Sequence, residues 1–522
     1  MKVRHVIFFT LIIANVVVLL THWYGWLLLT IPLLVLAAYD VWQKRHTILQ
    51  IYPVIGHLRY LFESIRPEIQ QYFVESNING RPFNREYRAL VYQRAKGETD
   101  KRPFGTQFDV YRSGYEWIEH SLSPKAIITD NLTVRFGGDD CQQPYTASPF
   151  NISAMSYGAL SKNAIMALNK GAKLGGFAHN TGEGGLSPHH LKYGGDLIWQ
   201  IGTGYFGCRD EAGQFDAQLF AQKASLESVK MIELKLSQGA KPGHGGILPA
   251  QKLTEEIAAI RHVPMGQDVL SPMAHSAFSS PTGLLKFIRE LRHLSAGKPV
   301  GFKFCLGNKC EFFAIAKAML ATNITPDFIT VDGSEGGTGA APIEFTNSVG
   351  TPLLDAIIFV DDVLVSLGLR EHIKIIASGK IISAFHIAKI IAVGADAVNS
   401  ARGMMFALGC IQSRSCNTDK CPTGIATQDP SRYRFLDIDE KSQRVCNYHN
   451  ATMRHLTELL QACAITDLQQ LTRQHIKRRI NATSSTDYEA LHPSQREGCL
   501  LKPDTVPVQW ATDWHRASAE HW

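Results

Sequence analysis

Cys410, Cys416 and Cys421 fall within GCIQSRSCNTDKCPTGIATQ, residues 409–428, and are three of the ten cysteines in the chain. Their spacing in a polar loop suits thiolate ligation. Three thiolates can hold the irons of a three-iron four-sulfur (3Fe-4S) cluster, whereas structural zinc takes four ligands, and His449 or Cys446 would then have to supply the fourth. Packing of the thiols as small apolar groups is the third alternative. Cys141, Cys208, Cys305, Cys310, Cys446, Cys463 and Cys499 show no disulfide framework, which fits a reducing compartment. GTGYFG, residues 202–207, satisfies G-x-G-x-x-G, but CRDEAGQFDAQ after it opens a helix poorly and no βαβ unit surrounds it, so no dinucleotide domain is expected.

Such residues need a frame. From about residue 150 to 405, short apolar runs ending in glycine-rich or polar turns alternate with stretches of helical periodicity. The runs are NISAMS, GFAHNTGEGG, MIELKLSQGAKPG, DVLSP, PVGFKFCLG, DFITVDGSEGG, IKIIASGK and DAVNSARG, eight in all. Segments between them, such as TGLLKFIRELRHL and SAFHIAKIIAVG, have apolar residues three and four apart and read as amphipathic helices. The pattern predicts an α/β fold, a closed parallel TIM (β/α)8 barrel over residues 131–430, with its chemistry on the loops that follow the strands. The cysteine loop lies just past the eighth run.

The flanks read differently. Residues 6–39 carry no Asp, Glu, Lys or Arg. One helix of that length would far exceed a hydrocarbon core of about 30 Å, so a transmembrane helical hairpin folded at THWYGW is expected over residues 1–45, in preference to a cleaved signal peptide. Lys2 and Arg4 on one flank, with Lys44 and Arg45 on the other, place both ends and the bulk of the protein on the cytoplasmic side of the membrane. Residues 46–130 form a polar, aromatic-rich lead expected to wrap the barrel, and residues 431–522 a helical cap and tail. A net charge of +6 from 53 basic and 47 acidic residues, without a basic run interleaved with aromatics, excludes nucleic acid as a partner.

Taken in order, SAMSYGALS, NTGEGG, LSQGAKPGHGG, DGSEGGTGAAP and LGCIQSRSCNTDKCPTGIATQDP closely resemble the flavin-binding synthase domain of glutamate synthases, over roughly residues 150–430. The resemblance implies an FMN-binding barrel and a 3Fe-4S cluster held by Cys410, Cys416 and Cys421. It places Met155 and Ser156 on the first strand, Gln238 on the third and Lys303 on the fifth around the flavin ring. Backbone amides, glycines and two cations after the seventh and eighth strands, at Ser378, Gly379, Lys380, Ala401, Arg402 and Gly403, would cradle the phosphate. A cation such as Lys303 beside the ring stabilises reduced, anionic flavin. In this family ammonia and 2-oxoglutarate form 2-iminoglutarate, to which reduced FMN passes hydride, giving L-glutamate. Lys241 and Arg261 stand where the family binds the substrate. Glu183 matches its acidic residue near the ammonia path, so Glu183 and Lys241 are the expected catalytic pair.

The departures from the family pattern cluster around the substrate. GGQLP is GGILP here, so a polar contact becomes Ile247, and the acidic residue two positions after the arginine is Val263. SPPPHHDIYS has become SPMAHSAFSS, which keeps only His275 of a histidine pair, and KPGEGG has become KPGHGG with His244. No cysteine precedes Cys141, so no glutaminase domain is expected, and electrons would come from an external donor protein such as a ferredoxin. The expected protein is a membrane-anchored oxidoreductase. A different substrate, or a non-enzymatic electron-transfer module at the membrane, are the alternatives, and the intact Glu183 and Lys241 favour catalysis.

Overall fold

The charge-free N-terminal run cannot continue as one helix through His22, whose φ is +58°. It forms Val3–Leu20 (α1) and Leu27–Trp42 (α2), joined through a short 3-10 turn at Tyr24–Trp26. The two helices pack together as a hairpin. A polar link in their seam has Thr30 Oγ1 donating to Asn15 Oδ1 at 2.9 Å, with Asn15 Nδ2 donating to the Thr30 carbonyl at 3.2 Å. The computed structural model describes residues 3–127 and 132–522, so Lys2 lies outside the described residues, as does the side chain of Arg4. Among the described residues Tyr24–Trp42 is long and apolar enough to cross a membrane, and His5–Leu20 is a shorter apolar helix. Farther on, His57–Ile69 (α3) continues into a π-helical turn at Gln70–Val74. These elements belong to one compact unit, Met1–Arg85, and the rest of the chain, Glu86–Trp522, to another.

In the second unit eight parallel strands close into a barrel. They are Phe150–Ile152 (β1), His179–Asn180 (β2), Leu197–Ile201 (β3), Val229–Lys235 (β4), Val300–Phe304 (β5), Phe328–Asp332 (β6), Lys374–Ser378 (β7) and Ala397–Ser400 (β8). Every residue of β3, β5 and β6 is buried, as parallel strands covered on both faces must be. One expected strand is wrong. Val269–Leu270 of DVLSP pairs antiparallel with Ile247–Leu248 in the long insertion between β4 and β5. The missing barrel strand is LIWQI, which shows no alternation because both its faces are buried, and which follows a helix of only four residues, Pro188–Leu191. Gln238 therefore follows the fourth strand, not the third; Lys303 keeps its place on the fifth.

The outer helices are Lys162–Gly175 (α4), Ala217–Ala224 (α5), Pro281–Leu294 (α6), Lys309–Thr322 (α7), Leu353–Ser366 (α8), Ala384–Ala392 (α9), Arg402–Leu408 (α10) and Ile438–Ala462 (α11). Ser161 starts α4 by accepting the Ala164 N–H, and Gly176 ends it in the left-handed region at φ +68°. The long α11 packs on α4, α9 and α10, so the segment that reads as a cap supplies a helix of the outer ring. The tail is not wholly helical either: Glu116–Ile118, Ile476–Arg479 and Ser485–Asp487 form an antiparallel sheet. A last helix, Val508–Arg516, sets Trp510 and Trp514 edge-on against Phe313. Val134, Phe136 and Ala147 of a small hairpin join Met231, Phe328 and Ile376 of the barrel in one buried cluster.

Candidate functional site

The loops after the strands open on a cleft lined by six cationic side chains, Lys235, Lys241, Lys252, Arg261, Lys303 and Arg402. Among the described residues one carboxylate, Glu183, lines it with them. The imbalance suits a polyanionic guest. Below it, Glu233 is completely buried inside the barrel and is satisfied by Asn180 Nδ2 at 2.7 Å, Gln200 Nε2 at 2.6 Å and Thr330 Oγ1 at 2.6 Å. A carboxylate can sit there only with such donors.

Glu183 follows β2, and its Oε1 lies 2.9 Å from Lys235 Nζ at the end of β4. Burial pushes its pKa up, but Lys235, Arg261 and Lys241 outweigh burial and hold the carboxyl below its usual range. The backbone makes room for it: a Cβ on Gly202 would come 2.7 Å from the Glu183 Cβ, and one on Gly246 2.5 Å from its Oε1. This is the use of Gly202 in GTGYFG, which packs a carboxylate. Lys235 is itself steered by His275, whose Nε2–H donates to the Lys235 carbonyl at 2.8 Å while Tyr205 Oη sits 3.1 Å from Nδ1. Burial drops the His275 pKa to about 4, so the ring is neutral.

Arg261 ends the helix Glu255–Arg261, where His262 turns the chain left-handed at φ +55°. One of its amino groups donates to the Tyr157 carbonyl at 3.2 Å, its plane lies 5.2 Å from the Phe206 ring, and its buried Nε has no protein acceptor. Burial lowers its pKa to about 10 against the pull of Glu183. Lys241 donates to the Gly245 carbonyl at 2.7 Å. Burial lowers its pKa to about 8, with Glu183 raising and Lys235 lowering it. A lysine that binds a carboxylate from this state loses its charge as pH rises. The affinity of the cleft for a dicarboxylate is expected to fall up to about tenfold per pH unit above that value. Lys241→Arg should remove this alkaline limb, as pH profiles of the two proteins will show.

Elsewhere in the cleft, Lys303 Nζ lies 3.3 Å from Asp332 Oδ2, which also accepts the Gly239 N–H at 2.7 Å. Burial opposes its charge, but Asp332 and Glu233 raise its pKa, so Lys303 is a firm cation. Met155, Ser156, Gln238, Lys303, Ala401 and Arg402 line the same cleft as Glu183, Lys241 and Arg261. Ser378, Gly379, Lys380 and Gly403 do not line it. Ser378 is buried at the end of β7, its Oγ 3.1 Å from Ser153 Oγ, and the chain then turns through Gly379 and an exposed Lys380 at φ +51°. Gly403 packs inside α10, where a Cβ would meet Ser400 Oγ at 2.6 Å and Tyr448 Oη at 2.7 Å. Ile247 lines the cleft, whereas His244 turns to the Gly245 carbonyl and the Phe345 ring. The polar, cation-rich lining with glycine turns beside it fits a flavin phosphate and ring.

The cysteine loop borders this cleft through Cys416, Asn417 and Ala426. It is wound tightly, with Gln412, Arg414 and Asp419 left-handed at φ +57°, +58° and +60°. Burial raises the Cys421 pKa, but the Thr423 hydroxyl and the N–H groups of Ala426, Thr423 and Ile425 outweigh it and bring the thiol below its usual value. Among the described residues no three His, Cys, Asp or Glu side chains converge as a metal site, these thiols included. The fourth-ligand alternatives fall away: His449 is stacked on Phe177 at 3.9 Å with Nε2 2.9 Å from Ser148 Oγ, and Cys446 accepts from Asn450. The three thiols of the loop remain the candidate ligands, none of them in a disulfide.

Sequence reasoning missed Lys235, Glu233, Asp332 and Lys252. A signal existed for two of them, since Glu233 and Lys235 alternate with Ile232 and Leu234 in MIELKLS and so share one face of an otherwise apolar strand.

The family description "Conserved region in glutamate synthase" matches residues 129–466. The glutamate synthase large subunit-like protein YerD of Bacillus subtilis is 39% identical over 479 residues, 84% of this chain and 90% of that one. The archaeal glutamate synthase (NADPH) of Methanocaldococcus jannaschii is 38% identical over 358 residues, 68% of this chain and 66% of its own length. The archaeal-type glutamate synthase (NADPH) of Thermotoga maritima is 34% identical over 340 residues, 65% of this chain and 64% of its own.

Proposed function

This chain belongs to the glutamate synthase family, and on that premise we propose that it is a membrane-anchored, FMN-dependent oxidoreductase that reduces the imine of ammonia and a 2-oxo acid, 2-iminoglutarate giving L-glutamate. The observation that carries the reading is the meeting of Glu183, Lys235, Lys241 and Arg261 in one cleft with Lys303. Lys241 and Arg261 pair with the two carboxylates of the substrate. Glu183, held ionised, accepts the proton that ammonia must lose and returns it to the departing hydroxyl. When bound, FMN would supply the hydride, Lys303 would hold the negative charge of the reduced ring, and Ala401 and Arg402 would face the phosphate. A 3Fe-4S cluster on Cys410, Cys416 and Cys421 supplies one-electron entry.

Two relatives are named for NADPH, but in this chain the G-x-G-x-x-G stretch packs Glu183. The donor is therefore read as an external protein such as a ferredoxin, with exposed Arg414 and Lys420 on the cysteine loop favouring an acidic one. In this reading the hairpin of α1 and α2 anchors the enzyme in the cytoplasmic membrane, and Lys44 and Arg45 support a barrel on the cytoplasmic side. Ile247 in the lining favours a second reading, a less acidic oxo acid as substrate.

One experiment tests both readings. Full-length protein in detergent should show oxidised-flavin absorbance with iron and sulfide, and should form L-glutamate from ammonia, 2-oxoglutarate and a reduced one-electron donor. A preference for monocarboxylic oxo acids selects the second reading, and no turnover with any oxo acid removes both.

A further inference from the structure

Every residue from Leu61 to Gln70 is exposed, and none of His57–Val74 is buried. A helix this short holds together poorly in water on its own. Its apolar residues are not scattered: Leu58, Leu61, Phe62, Ile65 and Ile69 recur at helical steps within an arc of about 100°, Phe73 follows in the π-helical turn, and Arg59, Glu63, Arg66 and Gln70 form the neighbouring polar flank. Phe62 is 60% and Phe73 84% exposed. This stripe belongs against an apolar phase.

The segment's start is fixed in place. The carboxylate of Asp40, fully buried near the end of α2, takes His57 Nε2 at 2.9 Å and the Val54 N–H at 2.8 Å. That end of α2 carries exposed Tyr39 and Trp42, then Lys44 and Arg45, the aromatic and basic signature of a bilayer boundary. Within the same compact unit α1 and α2 expose their own apolar side chains, Leu20 at 74% and Leu28 at 86%. A phase covering these side chains would need no further partner to cover α3.

We propose that His57–Val74 is an interfacial helix lying along the headgroup boundary of the bilayer, its apolar arc in lipid and its start pinned by Asp40 to the membrane exit of α2. The inference rests on the membrane-anchored reading above. A second copy of the chain is the competing occupant.

The test places photoreactive benzoylphenylalanine singly at Phe62, Ile65 or Phe73, at Glu63 or Gln70, and at Leu28 of the hairpin. All are exposed positions outside the barrel, and retained flavin absorbance confirms each fold. Full-length protein is reconstituted in vesicles of phosphatidylethanolamine and phosphatidylglycerol, irradiated, and analysed by mass spectrometry. Lipid adducts at Phe62, Ile65 and Phe73 should exceed those at Glu63 and Gln70 by about tenfold. Equal yields on the two faces overturn the proposal, as does a protein–protein dimer from Phe62 in place of lipid. Lipid adducts at Leu28 with none at Phe62 overturn it while leaving the anchor intact, and none at either position overturns both.

Discussion

Cys421→Ser is expected to leave the protein yellow but nearly free of iron, and to abolish turnover driven by an external one-electron donor. A serine hydroxyl ionises far less readily than a thiol, so the Thr423, Ile425 and Ala426 donors that favour the Cys421 thiolate have nothing to stabilise. Loss should exceed the ~10- to 100-fold that changes around metal ligands produce, because a ligand itself is removed. Flavin should stay, since Cys421 does not line the cleft. Iron, inorganic sulfide and flavin measured on one preparation separate the two cofactors. Cys446→Ser is the control, because that thiol sits on α11 and accepts from Asn450 at 3.4 Å. Full iron content in Cys421→Ser would end the three-thiolate assignment.

Glu183→Gln should lower kcat by about 10²- to 10⁴-fold, the usual span for loss of a positioned acid–base group. KM for the oxo acid should not rise, because the exchange leaves Lys235, Lys241 and Arg261 in place and makes the cleft more positive. A purely structural role would instead move KM and kcat together. The alkaline limb of kcat/KM should also shift to lower pH, since Glu183 raises the pKa of Lys241. Stability gives an independent sign. The folded pKa of Glu183 is depressed, so its stabilising contribution is full above the ordinary carboxylate pKa and is lost as pH falls through the folded value. Denaturant titrations down through that range should show a shallower acid limb in Glu183→Gln. Unchanged kcat would remove Glu183 from the chemistry.

The barrel was readable because parallel strands bury both faces and end in glycine-rich turns, as PVGFKFCLG and DFITVDGSEGG do. LIWQI escaped because β3 has neither alternation nor a full helix before it, while DVLSP offered two apolar residues and a proline that a small surface hairpin satisfies equally well. At the site, residues held by motif spacing came together: Glu183, Lys241 and Arg261 lie on three separate segments yet share one cleft. Lys235 and Asp332 were not visible, because their roles come from facing Glu183 and Lys303 across the barrel mouth, a relation that no one-dimensional spacing encodes. The pair of apolar helices was legible in residues 6–39 from the absence of charge and the turn residues THWYGW. The exposed stripe of α3 needed the structure, since the same periodicity in a packed helix would simply face a core.

Lys252 is almost wholly buried, and its ammonium group grips the carbonyls of Cys416 at 2.8 Å and Ala426 at 3.0 Å. It stands on the insertion that also carries Ile247 and Arg261, while Gly339 approaches Cys416 so closely that a Cβ would lie 3.2 Å from the cysteine Cβ. The insertion at the cleft mouth and the cysteine loop are thus riveted to one another, so a ligand that reshapes the first also tensions the second.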